Sequence, residues 1–387
     1  MKNRFLILLS FVLIVGRDVV CANTSMVRER ININRDWRYQ IDDPDGVGAA
    51  LHYSRLKPYL LPCANDFIIF GKRYQRPEGN PGENIAYVKS DFDDSEWRHL
   101  NLPHDWAIEG PFNIDYNGST GKLPYWGIRW YRKTLELSQD DAGKQIYLDI
   151  DGAMSYVSVW CNGQYVGGWP YGYASFRLDL TPYIKAGQKN VLAIRLDNPD
   201  DTSRWYPGSG IYRNVWLVKT SPVHVEQWGT FVRNQQVDSE IAVMEMGVNI
   251  ENHAGEDVQV KLQTSVYLQG KDGRPVGEEV TQSMTKDIAI KKDSWSSARF
   301  RFKGDKPKLW DIDTPNCYVA VSRVFMDGKE MDSYETPFGI RTIEFTHNQG
   351  FMLNGQKVAI KGVCMHHDLG ALGAAFNEVA AERQLRI

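Results

Sequence analysis

The sequence predicts a mainly β protein: a jelly-roll domain, an immunoglobulin-like β-sandwich, and the first βα unit of a truncated TIM barrel. Three observations predict it. Short alternating polar and apolar runs fill the chain from about Ile31 to Phe338, the period of half-buried strands. Turn pairs break those runs at Asn162-Gly163, Asp272-Gly273, Asp327-Gly328 and Asn354-Gly355. Asn-Gly is favoured there because both central residues of a type I′ hairpin turn need positive φ. No helical periodicity of any length runs between Ile31 and Thr220.

Taken in order, Lys2 and Arg4 precede the apolar run Phe5 to Val15, and Val20-Cys21-Ala22 supplies small or modest residues before a cut. This is the layout of a secretory signal peptide over 1–22, which implies export to the periplasm or cell surface. As a helix the apolar run would rise only about 16 Å against a hydrocarbon core of about 30 Å, too short to span. Lipid attachment at Cys21 is an alternative that Asp18 and Val20 fit poorly.

Residues 26–220 read as the jelly roll. Ser155 to Trp160 and Gln164 to Gly167 flank the Asn162-Gly163 turn, and Asn190 to Asn198 alternates Val191, Ala193 and Arg195 with Leu192, Ile194 and Leu196. Residues 222–338 read as a second sandwich, with Val258, Val260 and Leu262 on one side of a pleat. From 339 to 387 the character changes. Gly350 to Val358 is a hairpin around Asn354-Gly355, and Val358 to Val363 is an apolar strand ending in Cys364-Met365-His366-His367-Asp368. A helix then starts at Asn377, a plausible N-cap, with Glu382 and Arg386 spaced to pair. Strand, polar loop and helix make the first unit of a βα barrel, and one unit cannot bury its own faces.

Composition narrows the function classes. The formal net charge is −3 with no Lys/Arg block, so nucleic acid is not an expected partner. No later stretch is long and apolar enough to span a bilayer. The 12 Trp and 19 Tyr suit sugar rings, and equally the core of a large β-sandwich. Cys63, Cys161, Cys317 and Cys364 are widely spaced without CxxC; they read as buried thiols rather than as a disulfide or zinc framework. No cofactor is expected.

Six segments, in order, carry a family resemblance: Leu102-Pro103-His104-Asp105-Trp106, Phe176 to Thr181, Ser203 to Arg213, Phe338-Gly339-Ile340-Arg341, Leu353-Asn354-Gly355 and Lys361-Gly362-Val363. Together they resemble glycoside hydrolase family two, from its sugar-binding jelly roll to the entry of its catalytic barrel. The wording His366-His367-Asp368-Leu369-Gly370 is similar to the barrel opening of exported β-galactosidases of Bacteroidetes. The resemblance implies hydrolysis of O-glycosyl bonds with retention, by two carboxyl groups about 5–5.5 Å apart. In the family both are glutamates on later barrel strands. Neither motif occurs before Ile387, so no catalytic residue is assigned and this chain alone is expected to be inactive.

Substrate-binding candidates remain. On a strand, His366 and Asp368 share one face and His367 takes the other, at the strand end where barrel sites are built. The resemblance assigns His366 and Asp368 to the bound sugar; a satisfied core histidine, a loop-capping aspartate and a metal site are the other readings. The metal reading suffers from the split of the three residues across two faces. Arg204, Trp205 and Tyr206, beside the Pro207-Gly208-Ser209-Gly210 turn, either project towards the barrel mouth or pack between domains. His104-Asp105-Trp106 lacks a Ser or Cys nucleophile motif and reads as a structural turn. The expected partner is a β-linked oligosaccharide. A free-standing carbohydrate-binding module and, for the intact protein, a β-glucuronidase are the alternative readings; oligomeric state is not legible.

Overall fold

The computed structural model describes residues 27–68, 71–200 and 203–387; the expected leader and Cys21 lie outside the described residues. The first sandwich has a four-stranded sheet ordered Glu29–Asn32, Val215–Thr220, Gln145–Ile150, Phe176–Asp179. Against it lies a six-stranded sheet ordered Arg98–Leu100, Trp37–Ile41, Gly127–Glu136, Lys189–Asn198, Val157–Cys161, Gln164–Trp169. All pairings are antiparallel.

The alternation in Lys189–Asn198 places its two residue sets on opposite faces, and both faces are covered. Leu192, Ile194 and Leu196 enter the core between the sheets. Ala193 faces the other way, into a second cluster with Trp130, Trp160 and Leu56. Arg195, on the same outer face, is buried through a two-pronged bond to Asp43 at 2.8 and 2.8 Å. The cover is formed by the segment around the α-helix Tyr53–Leu60. This helix corrects the expectation of an all-β first domain. Its short length and internal Pro58 hide any periodicity, and only Leu56 and Leu60 are buried on it, so packing against the sheet rather than propensity holds it.

The second sandwich pairs Val223–Val237, Ile241–Asn252 and Ser294–Asp305 in one sheet. The other is built on Val258–Gln269, flanked by Met284–Ile290 and Tyr318–Met326, with Lys329–Phe338 at its edge. Val258, Val260 and Leu262 are core residues, as their alternation predicts. The Asp327-Gly328 and Asn162-Gly163 turns both have positive φ at both residues (50° and 79°; 50° and 80°).

The two sandwiches are bonded to each other. Arg28 donates to Asp332 at 2.9 and 2.7 Å and to the Val225 carbonyl at 2.6 Å, and Val225 N–H also donates to Asp332 at 2.7 Å. The Tyr147 hydroxyl lies 3.3 Å from His224 Nε2.

After Phe338, Ile343–Thr346, Gly350–Leu353 and Gln356–Lys357 form a small sheet. Asn354 (φ 49°) and Gly355 (φ 75°) make the expected turn. Val358 to Val363 does not form the expected strand: Ile360 is 71% and Val363 92% exposed. A strand needs a neighbour for its N–H and C=O groups; Val358 N–H bonds the Phe351 carbonyl at 3.0 Å, but among the described residues no strand pairs with the segment beyond it. The helix Glu378–Arg386 is present, with Asn377 Oδ1 accepting from Ala380 N–H at 3.0 Å and Glu382 paired to Arg386 at 2.6 Å. The described structure therefore contains a strandless connection and a solvent-exposed helix in place of a barrel unit. Of the four thiols, Cys161 is buried, Cys63 and Cys317 are half-buried and Cys364 is exposed; Cys364 departs from expectation because its strand does not form.

Candidate functional site

The Ser203–Arg213 segment is held as a rigid platform. Ser209 Oγ donates to the Tyr125 carbonyl at 2.7 Å, and Asn198 Nδ2 donates to the carbonyls of Tyr125 (2.8 Å) and Gly208 (3.2 Å). Met154 and Gly210 exchange both backbone bonds, at 2.9 and 3.1 Å. Gly210 has φ 91°, and a Cβ there would sit 2.5 Å from the His104 carbonyl oxygen and 2.8 Å from the Tyr131 hydroxyl. Only glycine satisfies both conditions.

Onto this platform the residues after the second sandwich fold back. His367 Nε2 lies 2.9 Å from the Pro207 carbonyl. A carbonyl only accepts, so Nε2 carries the hydrogen. Its ring contacts Tyr173 and Tyr212 with centroids 5.3 and 5.4 Å away. Burial lowers the His367 pKa below its ordinary 6.5, against the opposing pull of the Pro207 carbonyl, so the ring is neutral at pH 7. Ala374 N–H donates to Asp105 Oδ2 at 2.8 Å, and Phe376 N–H donates to the Tyr212 carbonyl at 2.9 Å.

Asp105 joins the two segments. It accepts from Tyr206 OH at 2.6 Å, Ala374 N–H at 2.8 Å and Ala107 N–H at 3.0 Å, and is 1% exposed. Burial raises its pKa against these three donors. The Tyr206 phenol is pushed far up by its own burial and by the charges of Asp105 and Asp368, so it remains a neutral donor. Beside it, His104 Nε2 lies 3.1 Å from Glu109, which Arg98 also grips at 2.7 and 2.7 Å. The His104 bond, with Arg98, lowers the Glu109 pKa to about 2. These contacts are those of a structural turn.

The structure brings together most of the residues singled out from the sequence. The Trp205 and His366 rings meet edge-on at 5.7 Å, and Asp368 lies close enough to Tyr206 and His367 to affect both electrostatically. Arg204 is exposed. The shared face of His366 and Asp368 does not follow from strand alternation, because the segment is not a strand: His366 is exposed and His367 is the residue turned inward. Three contributors were missed. Tyr173 accepts from Trp205 Nε1 at 3.0 Å. Tyr171 is 60% exposed and 5.6 Å from Tyr173. His367 fastens its segment to the Pro207 carbonyl. The Tyr171-Gly172-Tyr173 spacing was the available signal, since a loop with two aromatics around a glycine presents rings. Among the described residues no group of three or more His, Cys, Asp or Glu is arranged for a metal ion.

The architecture is that of two consecutive β-sandwiches, with an aromatic and imidazole cluster on loops of the first closed by the chain leaving the second. Family models agree: the sugar-binding domain of glycosyl hydrolases family 2 matches residues 87–221, and the glycosyl hydrolases family 2 domain matches 223–341. The chain belongs to glycosyl hydrolases family 2. It is 41% identical to a β-galactosidase of Bacteroides ovatus over 95% of this chain and 38% of that protein. It is 33% identical to a putative β-glucuronidase of Formosa agariphila over 80% of this chain and 30% of that protein. Among solved structures, a family 2 member from Bacteroides cellulosilyticus superposes with a TM-score of 0.77 at 29% identity, over 92% of this chain and 41% of that one. The chain thus spans under two fifths of the length of these curated relatives.

Proposed function

We propose that the chain is the sugar-binding and scaffolding portion of an exported, retaining β-galactosidase. Residues 1–22 would direct export, 26–220 and 222–338 would form the two sandwiches, and 339–387 would lead into a (β/α)8 catalytic barrel. The observation that carries the reading is the Trp205–His366 contact, a jelly-roll aromatic against the residue that would open the barrel site. In this reading His366 and Asp368 hydrogen-bond the hydroxyls of the sugar at the cleavage point. Trp205 and Tyr173 give its ring an apolar wall, and Arg204 and Tyr206 stand at the rim. Imidazole and carboxylate together offer donor and acceptor capacity to a vicinal diol. Cleavage requires two carboxyl groups, which the family places on later barrel strands, so residues 1–387 alone would bind without cleaving.

The galactoside reading rests on the 41% relative. The β-glucuronidase alternative is favoured by the 33% relative. Assaying the full-length gene product with p-nitrophenyl β-galactoside and β-glucuronide tests both. Turnover of the galactoside that falls at least tenfold in His366→Ala and Trp205→Ala supports the reading. Turnover of the glucuronide alone moves the protein to the alternative, and turnover of neither overturns both.

A further inference from the structure

The crevice between the two sandwiches shares no lining residue with the loop cluster above. Its main chamber has a volume of about 1060 Å³, and a side chamber of about 290 Å³ shares Phe176, Arg177, Gln227 and Trp228 with it. Ligand clefts generally run to about 300–1,000 Å³, so there is room for more than one sugar-sized ring.

Trp228 is the feature that packing leaves unexplained. Its φ is 56°, a left-handed conformation costly for a bulky side chain. The conformation is built in. The pairing of Val223–Val237 with Ile241–Asn252 breaks register between Val225 and Thr230, and the next residue is Gly229, where a Cβ would fall 2.7 Å from Glu226 Cβ. The strained turn aims the indole out of the strand and leaves it 55% exposed. Its one ring neighbour among the described residues, Phe67, lies 6.5 Å away and is itself 55% exposed. Strain that yields exposure rather than burial points to a ligand.

The surroundings specify the chemistry. Phe67, Trp169 and Phe176 continue the aromatic row at 5.7 and 6.1 Å. Beside it Arg177 is locked to Asp149 at 2.6 and 2.9 Å, which uses two of the five guanidinium N–H donors. Four arginines face five carboxylates around the main chamber, and the side chamber adds Asp179, Glu226 and Glu251, so the field is net acidic and disfavours an anion. Apolar plates beside fixed hydrogen-bonding pairs, with no excess of cations, match a pyranose: a C–H face with a rim of neutral hydroxyls that carboxylates can accept from. We propose that this crevice is a second saccharide site, separate from the cleavage site, which holds a neutral oligosaccharide with one ring on Trp228 and hydroxyls on Arg177 and Asp149. The proposal stands independently of the hydrolytic reading.

The test is calorimetric titration of the protein with β-1,4-galactotetraose, cellotetraose and β-1,4-mannotetraose, repeated for Trp228→Ala, Trp228→Phe and Trp205→Ala. The expected result is millimolar or tighter binding of at least one tetraose that weakens tenfold or more in Trp228→Ala. Trp228→Phe, which keeps a ring, should retain it within about threefold. That component should also persist in Trp205→Ala, which separates it from the site under Proposed function. Binding unchanged in Trp228→Ala, or absent for all three sugars, overturns the proposal. So does a dimer in sedimentation that dissociates in Trp228→Phe and Trp228→Ala alike, which would assign the face to a second copy of the chain.

Discussion

The Tyr206 hydroxyl donates to Asp105 Oδ2 at 2.6 Å, and the same oxygen accepts Ala374 N–H at 2.8 Å. One buried carboxylate thus holds a loop of the first sandwich and a segment 269 residues further along the chain. Its other oxygen accepts from Ala107 at 3.0 Å. Removing the acceptor strands donors that have no route to water, at about 1–3 kcal/mol each. Asp105→Ala is therefore expected to destabilise the protein by about 3 kcal/mol in urea unfolding. Hydrogen exchange at Ala374 should accelerate more than in the second sandwich. Uniform acceleration would show that Asp105 does not act locally.

Gly208 faces the same junction. It has φ 69°, and a Cβ there would fall 2.3 Å from Ala374 Cβ. Gly208→Ala should push the 366–376 segment off the platform while the sandwiches stay folded, seen as unprotected amides at Ala374 and Phe376 beside a nearly unchanged main unfolding transition. Gly210→Ala, which collides with the His104 backbone, should instead cost several kcal/mol, in the range reserved for buried steric conflict. Equal effects from the two substitutions would contradict this division.

The docking of 366–376 should depend on pH. Burial depresses the His367 pKa, so the folded state prefers the neutral ring. The stability this contributes is fully present above the unfolded value of about 6.5 and is lost as pH falls through the folded value. Amide exchange around Ala374, corrected for intrinsic rate, should increase below about pH 6. His367→Gln, which keeps a donor near the Pro207 carbonyl, should flatten the profile.

An opposing pH dependence is expected between the sandwiches. Bonding to Glu251, at 3.5 Å, raises the His253 pKa above 6.5. That contribution is complete below about pH 6.5 and is lost as pH rises through the raised value. Glu251 is itself held at about 2 despite burial, through bonds to His224 and His253. Its contribution is present above the unfolded carboxylate value and is lost between about pH 4.5 and 2. Melting temperature should be highest between these windows, and His253→Ala should remove the alkaline decline and also lessen the acid one, because Glu251 then keeps only its His224 bond.

Arg28 and Asp332 tie the two sandwiches together through two hydrogen bonds. Asp332 is fully buried and its partner is 14% exposed. Deleting one member leaves a buried charge whose cost is about 3–5 kcal/mol. Arg28→Ala should lower stability by about that amount, whereas Arg28→Met with Asp332→Leu should recover much of it. A single variant with an unchanged melt would show that the sandwiches do not depend on each other.

The sequence by itself determined the two sandwiches, their hairpin turns and the family. Each rests on a local rule: alternation puts Leu192, Ile194 and Leu196 inward whatever their partners, and Asn162-Gly163 turns because positive φ is cheap there. It also determined the end helix, since the Asn377 cap and the Glu382–Arg386 pair are contacts within one turn or two. Only the tertiary structure decided the rest. The helix Tyr53–Leu60 exists because a sheet face needed covering, which no window of eight residues can announce. Val358 to Val363 has a strand's composition but after Val358 is paired with no strand among the described residues, so the rule that paired His366 with Asp368 loses its premise. The inward residue there is His367, chosen by the Pro207 carbonyl and the Tyr173 and Tyr212 rings. Trp228 is exposed because of a break in register and the glycine that follows it, both set by the pairing with Ile241–Asn252. Local patterns set which elements can form, and long-range partners for backbone and charge set where each one ends and which side chain it presents.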